Sequence, residues 1–303
     1  MQLLKKRDFG ELFNDTFGFV RENGKHFFST YFRLILIPFA VMLVLIYFVT
    51  TRLYGLSGFD EDFGVMIEDY VRSHMGTSIV LGIVLFLLVI VFSIIQNSFT
   101  PTYLILYQKK GAEGFTATDV FNFIFKENIG KIILFIFASL IVSIPLIAIV
   151  AILTLLFLIT IVGIFIPIAG FSLLMNMWFI DYLSSDKDVM ESFSEAYSLL
   201  KQRFWAYILA VAVFILLMQL VSFGVNIITS TVTSLLTFNQ LDADGKTLTA
   251  VLTLVFSFVI LQFVNLIFQM IFNLMQNMVY FSAKEEKYNI TGFDEIEQIG
   301  SGE

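Results

Sequence analysis

Between Lys131 and Asp181 lie 49 consecutive residues without one charged side chain. Soluble domains, in which roughly a quarter of the residues are charged, do not contain such a stretch. An uncharged run of about 18 residues already crosses a hydrocarbon core roughly 30 Å thick as a helix, so this run is long enough for two crossings. The turn between them is expected at residues 159–167, where Gly163 and Pro167 break a helix. Further uncharged runs occupy 34–51, 75–108, 204–241 and 247–283. Together they predict an all-α integral membrane protein with six transmembrane helices. No alternating pattern of about ten residues per segment, the mark of an outer-membrane barrel, competes with that reading.

Composition agrees, with 58% hydrophobic and only 14% charged residues. The absence of cysteine excludes disulfides and thiol chemistry. A net charge of -7 argues against nucleic acid as a partner. No small-residue cleavage pattern follows the first span, so no removable signal peptide is expected.

A charged amphipathic phrase precedes three of the spans: FNDTFGFVRENGKHFF at 13–28, VFNFIFKENIGKII at 120–133 and SFSEAYSLLKQRFWAY at 192–207. On a helical wheel Leu12, Phe13, Phe17, Phe19 and Val20 fall beside Phe9, opposite Glu11, Asn14, Asp15, Arg21 and Glu22. In the third phrase Val189, Phe193, Ala196, Tyr197 and Leu200 oppose Glu191, Ser194, Glu195, Lys201 and Gln202. Setting Arg21 on Lys201 pairs Phe13 with Phe193, Asp15 with Glu195 and Phe17 with Tyr197. Such a segment is expected to lie in the membrane interface, apolar face down, the alternative being a helix buried in the groove of a soluble partner. Helix starts are expected at Thr116, three residues before Asp119, and at Ser185, three before Asp188.

The even-numbered spans share an amide at one end: Asn97, Asn176 and Asn277. Arg21 to Asn97 and Lys201 to Asn277 are both 76 residues, whereas Lys126 to Asn176 is 50, so the middle copy lacks an outer loop. The expected architecture is three repeats of interfacial amphipathic helix plus transmembrane hairpin, at 1–110, 111–183 and 184–283, followed by a mobile acidic cytoplasmic tail at 284–303. Pro38 falls in the first turns of span one, and Pro145 bends span three.

Orientation follows from the basic residues. With the N-terminus in the cytoplasm, all of the 18 Lys and Arg except Arg52, Arg72 and Lys246 face inward. Trp178 and Trp205 then stand at cytoplasmic span ends as interface anchors. The reading is a multi-pass protein of a bacterial inner membrane with both termini cytoplasmic.

Span six carries Gln262, Asn265, Gln269, Asn273, Gln276 and Asn277, a single helical stripe of amides. Amides are costly against lipid, so the stripe should face protein or water. It serves either as interhelical hydrogen bonding, about 0.6–2 kcal/mol per contact, or as a polar path or lipid-headgroup groove aided by Gln219 and Asn226 of span five. No ionisable residue lies in mid-span, which counts against a proton-coupled transporter or ion pump. Asp181 sits at the end of span four among interface residues. His26 and His74 fall on opposite sides of the membrane, too far apart to share a metal, and each is expected in a solvated loop or interface.

Asp60, Glu61, Asp62, Glu68 and Asp69 follow no known calcium-loop spacing and read as a solvated acidic face, with Asp242-Ala-Asp244-Gly245 as a turn. Phosphate-binding glycine loops, a nucleophile elbow and a metalloprotease helix are absent from the sequence. No catalytic residue, metal or cofactor is therefore expected.

The stretches FGELFNDTFGFVRENGKHFF and ESFSEAYSLLKQRFWAYILA resemble those of uncharacterised bacterial membrane proteins grouped with the glycerophosphoryl diester phosphodiesterase membrane-domain family. In that family an amphipathic stretch ending in a basic residue and an aromatic leads into a span, as Lys201, Phe204 and Trp205 do here. The resemblance implies a membrane module without the soluble phosphodiesterase, so hydrolase activity does not carry over. The third copy departs from the first two in having no proline at the place of Pro38 and Pro145, where residues 218–220 stand. Function is accordingly expected to be that of a non-enzymatic accessory or scaffold subunit of an envelope or secretion complex. Its expected partners are membrane lipids and other membrane protein subunits; the alternative is a lipid or small-solute carrier using the amide-lined face of span six.

Overall fold

A computed structural model describes residues 1–57, 68, 70–111, 114–158, 160, 163–238 and 248–291. Every regular element among them is helical: α1 (Phe9–Ser57), α2 (Met75–Lys110), α3 (Ala117–Asn122) running into a π turn (Phe123–Glu127), α4 (Ile129–Phe157), α5 (Phe165–Ser184), α6 (Val189–Lys201), α7 (Phe204–Phe238) and α8 (Leu248–Tyr288). Six of these, α1, α2, α4, α5, α7 and α8, are long and apolar enough to cross a membrane. The acidic loop residues other than Glu68, the turn at 242–245 and the tail beyond Thr291 lie outside the described residues.

Each amphipathic phrase opens on a residue whose backbone N–H donates to the carboxylate of an acid three residues on. Asp8 Oδ1 accepts from Glu11 N at 2.7 Å while Glu11 Oε2 accepts from Asp8 N at 3.0 Å. Thr116 and Asp119 form the equivalent box ahead of α3, as the sequence predicts. The third start is displaced from the expected Ser185 to Asp188, which caps Met190 and Glu191. Ser185 is engaged in the opposite task, its hydroxyl donating to the Asp181 carbonyl at 2.8 Å where α5 ends.

The phrases join their spans in three different ways. In α1 nothing breaks the helix, so the first phrase is the opening of one 49-residue helix rather than a separate interfacial element. The second passes through the π turn and Asn128, whose Nδ2 donates to the Phe123 carbonyl at 3.0 Å. The third ends at a turn through Gln202 and Arg203, leaving α6 distinct from α7.

The buried faces are rotated from the apolar arcs drawn on the wheel. In α1 the protein interior receives Leu12, Thr16, Phe19, Asn23, Phe27 and Tyr31, while Phe9 and Phe17 are 43% and 50% exposed. Thr16 tolerates full burial because its hydroxyl donates to the Leu12 carbonyl at 2.7 Å. In α6 Ser192, Ala196, Leu199 and Leu200 are buried and Tyr197 is exposed. At the 180-residue offset that sets Arg21 on Lys201, the pairs Leu12/Ser192, Thr16/Ala196, Phe19/Leu199, Phe27/Tyr207 and Tyr31/Val211 are all buried. The same offset pairs buried Ser98, Phe99, Thr102 and Tyr103 of α2 with buried Met278, Val279, Ser282 and Ala283 of α8. An offset of 79 from α2 reaches Met177, Trp178, Asp181 and Tyr182 of α5, also buried.

The chain divides into two compact units. Unit 1 comprises Met1–Phe32, Asn97–Gln219 and the chain from Gln269 onward. Its core is aromatic: Phe19, Phe27, Tyr31, Phe99 and Tyr103 interlock edge to face, with Phe27 and Tyr103 centroids 4.9 Å apart. A second cluster sets Phe135 against Trp178 at 4.8 Å and Trp178 against Phe193 at 4.9 Å. Trp178 is wholly buried and its Nε1 donates to the Val189 carbonyl at 2.6 Å, so it is a core residue and not the expected interface anchor; Trp205 is 58% exposed.

Within unit 1, α5 packs on both α4 and α6. The hairpin turn between α4 and α5 needs Gly163, where a Cβ would fall 2.8 Å from the Phe157 carbonyl oxygen. Unit 2 comprises Arg33–Gln96 and Leu220–Phe268. It pairs Phe39 with Phe92 and joins Thr233 to Ser257 by their hydroxyls, and turns Ile37, Val44, Phe86, Phe223, Ile228 and Phe256 outward.

Candidate functional site

The amide stripe is not uniform along α8. Its unit 2 members are Gln262, half-buried, and Asn265, exposed. Its unit 1 members are progressively enclosed, with Asn273, Gln276 and Asn277 all buried. Gln269 Nε2 donates to Asn273 Oδ1 at 3.2 Å, Gln276 Nε2 to Ser172 Oγ of α5 at 2.6 Å, and Asn277 Nδ2 to the Asn273 carbonyl at 2.6 Å. Gln219 and Asn226 of α7 are both exposed, and Asn226 Nδ2 donates to its own helix at the Ser222 carbonyl.

Of the three amides matched between spans, Asn97 is exposed, Asn176 half-buried and Asn277 fully buried. The Oδ1 atoms of Asn176 and Asn277 are buried without a hydrogen-bond partner among the described residues.

A charged network that the sequence reading did not assemble lies where α5 ends. Asp181 is 1% exposed, and its carboxylate accepts from the Tyr280 hydroxyl at 2.9 Å and from Lys187 Nζ at 3.2 Å. Lys284 Nζ donates to the Tyr280 hydroxyl at 3.0 Å, and Lys131 Nζ to the Ser185 carbonyl at 2.8 Å. Beside it Glu195 of α6 receives Lys287 Nζ at 2.9 Å and the Tyr288 hydroxyl at 2.7 Å. Burial acts to raise the Glu195 carboxyl, but these two donors and nearby Lys187 outweigh it and hold the group below its ordinary value. The signal was in the sequence, since Asp181 is the acid that ends the 49-residue uncharged run.

Two further polar knots fasten unit 1. Arg7 is 1% exposed; its guanidinium donates to Asp15 at 2.8 Å and to the carbonyls of Gln2, Leu3 and Lys5 at 2.7–3.1 Å. His26 is on α1, not in a solvated loop. Its Nε2 meets the Phe115 carbonyl at 3.1 Å, which can only accept, so Nε2 donates there, and Nδ1 shares a hydrogen bond with the Tyr103 hydroxyl at 2.8 Å. The position is half-buried between aromatic rings, which the hydropathy pattern does not register.

Among the described residues no group of three or more His, Cys, Asp or Glu is placed to hold a metal ion. Asp181 with Tyr280, and Glu195 with Lys287, act as hydrogen-bonded fasteners between helices of unit 1. Fold and site together define a polytopic, all-helical membrane protein. Comparison with protein-family models gives no match, and none is found among curated proteins or among solved structures.

Proposed function

We propose that this is a non-enzymatic protein of a bacterial inner membrane, both termini cytoplasmic, that serves as an accessory or scaffold subunit of an envelope or secretion complex. The observation that carries the reading is α4. Its membrane-crossing window has a mean hydropathy of 3.0 and none of it is buried inside the chain. Beyond the face it sets against α5, this helix is apolar and offers the rest of its circumference to lipid and to other membrane helices. Ala148 and Ala151 are exposed on it and permit the close backbone approach by which helices associate in lipid.

Three repeats form part of the same proposal, supported by the matched capping boxes and the in-register burial at offsets of 180 and 79. The distribution of Lys and Arg supports the orientation. The family resemblance belongs here too, as a membrane module without a phosphodiesterase. The test is purification from native membranes in mild detergent at native expression, with mass spectrometry of proteins and lipids. A stoichiometric membrane protein that is lost when Ala148 and Ala151 are both changed to Trp is expected; purification with no other membrane protein would count against the reading.

A carrier for lipid or a small solute is the second reading. The partnerless Oδ1 atoms of Asn176 and Asn277 favour it, on two helices that meet through Ser172 and Gln276. A buried acceptor without a donor costs about 1–3 kcal/mol unless water or a solute supplies one. Replacing Gln262, Gln269 and Asn273 together by Leu would then abolish function in a protein that still folds, and an unchanged phenotype would eliminate this reading.

A further inference from the structure

We infer that the C-terminal end of α5 is a binding site for a phosphate group, and that in the membrane its source is the headgroup of an anionic phospholipid. Three ammonium groups from three different elements converge there. Lys131 comes from the first turn of α4, Lys187 from the turn between α5 and α6, and Lys284 from the last turns of α8. All three donate to atoms of one small region, the Ser185 carbonyl, the Asp181 carboxylate and the Tyr280 hydroxyl that itself donates to Asp181.

Charge is unbalanced within this region. Asp181 is the carboxylate bonded into it, and Lys187 is its ion pair. Glu195 is engaged by Lys287 and Tyr288, Asp188 and Glu191 close the cap of α6, and Asp186 is exposed on the turn. Lys131 and Lys284 are half-buried, and the contacts seen for them are neutral: a carbonyl and a phenol, with the rings of Tyr182 and Tyr280 at 5.6 and 5.3 Å. Lys131 answers in part to the negative end of the α5 dipole. Lys284 does not, because its hydrogen bond goes to a side-chain hydroxyl and not to a terminal carbonyl.

Three ammoniums thus gather around one buried carboxylate at the end of a membrane-crossing helix, the part of a span that lies nearest lipid phosphates. Basic pockets between helices in that position take anionic headgroups. A tetrahedral oxyanion accepts from several ammoniums at once, and Lys serves it as a point charge. The inference does not depend on the scaffold role, because a headgroup site is equally at home in a carrier.

The test is native mass spectrometry of the full-length protein in detergent, titrated with phosphatidylglycerol, phosphatidylcholine or inorganic phosphate. The Lys131→Gln/Lys284→Gln variant is compared with Lys25→Gln/Lys201→Gln, which removes two exposed lysines. Phosphatidylglycerol binding is expected to exceed phosphatidylcholine binding and to fall roughly tenfold in the first variant but not the second. Absence of competition by inorganic phosphate identifies the lipid as the source, whereas displacement by it assigns the same site to free phosphate. Unchanged phosphatidylglycerol binding in Lys131→Gln/Lys284→Gln, or an equal loss in Lys25→Gln/Lys201→Gln, overturns the site. Thermal unfolding of each variant separates loss of binding from loss of fold. Should the double variant not fold, Lys131→Gln alone reads the same site and must still lower phosphatidylglycerol binding.

Discussion

Helices α4 and α5 are the two arms of one hairpin and are built on opposite plans. The α4 window has a mean hydropathy of 3.0 and none of it is buried; the α5 window has a mean hydropathy of 1.3 and is 61% buried. Helix α2 extends the relation, with a mean hydropathy of 3.2 and 11% of its window buried. In water the most apolar helix would be the innermost. In lipid the outside is as apolar as Leu, so the interior is chosen by what lipid cannot satisfy: the Asp181 carboxylate, the Trp178 indole and the Ser172 hydroxyl. The less hydrophobic arm of the hairpin is therefore its structural core.

The contrast is broken most severely at Asp181. Asp181→Ala leaves Lys187 and the Tyr280 hydroxyl without their acceptor and is expected to cost about 3–5 kcal/mol, read as a fall in detergent unfolding temperature. Next, Leu173→Ala in α5 removes a fully buried side chain, with an expected loss of about 2–5 kcal/mol. Ile144→Ala in α4, where the side chain is 71% exposed, should stay within about 0.5 kcal/mol of the parent in the same assay. Equal losses at the two positions would erase the distinction between the arms. Well below the Leu173→Ala effect lies Gln276→Leu, which removes the bond to Ser172 and should cost about 0.6 kcal/mol.

The smallest effect concerns Glu195. Its folded carboxyl is held below the ordinary value of 4.5, so its stabilisation is complete above that pH and is lost as pH falls through the lower folded value. A Glu195→Gln variant should therefore lose the part of the acid sensitivity of unfolding that sets in below about pH 4.5 in the parent.

The spans were legible because an uncharged run has few alternatives in structure. The helix start at Thr116 was legible for a similar reason, since its partner Asp119 lies three residues away in the same phrase. The start of α6 was misplaced because Ser185 and Asp188 both offer a capping side chain, and only the end of α5 decides which is free to cap. The face that α1 turns into the protein was not legible, because a wheel ranks Phe17 above Thr16 and does not say which apolar residues meet protein and which meet lipid. Burial in unit 1 follows helix contacts, and lipid accepts Phe17 readily. The network at Asp181 joins residues 99 positions apart, and no local pattern reports such a pairing. The break between α6 and α7, against the unbroken α1, likewise depends on packing that the repeated phrases do not encode.

The absence of native cysteine allows the central comparison to be measured directly, by spin labels on single cysteines in the reconstituted protein. Labels at Ile141, Ile144 and Ile152 of α4 and at Ala169, Leu173 and Met177 of α5 would be compared for collision with oxygen dissolved in the bilayer. High oxygen accessibility along α4 and low accessibility along α5 is the predicted result. A low value at all three α4 positions in the isolated protein, or a high value along α5, would contradict the assignment of one arm to the lipid and the other to the core.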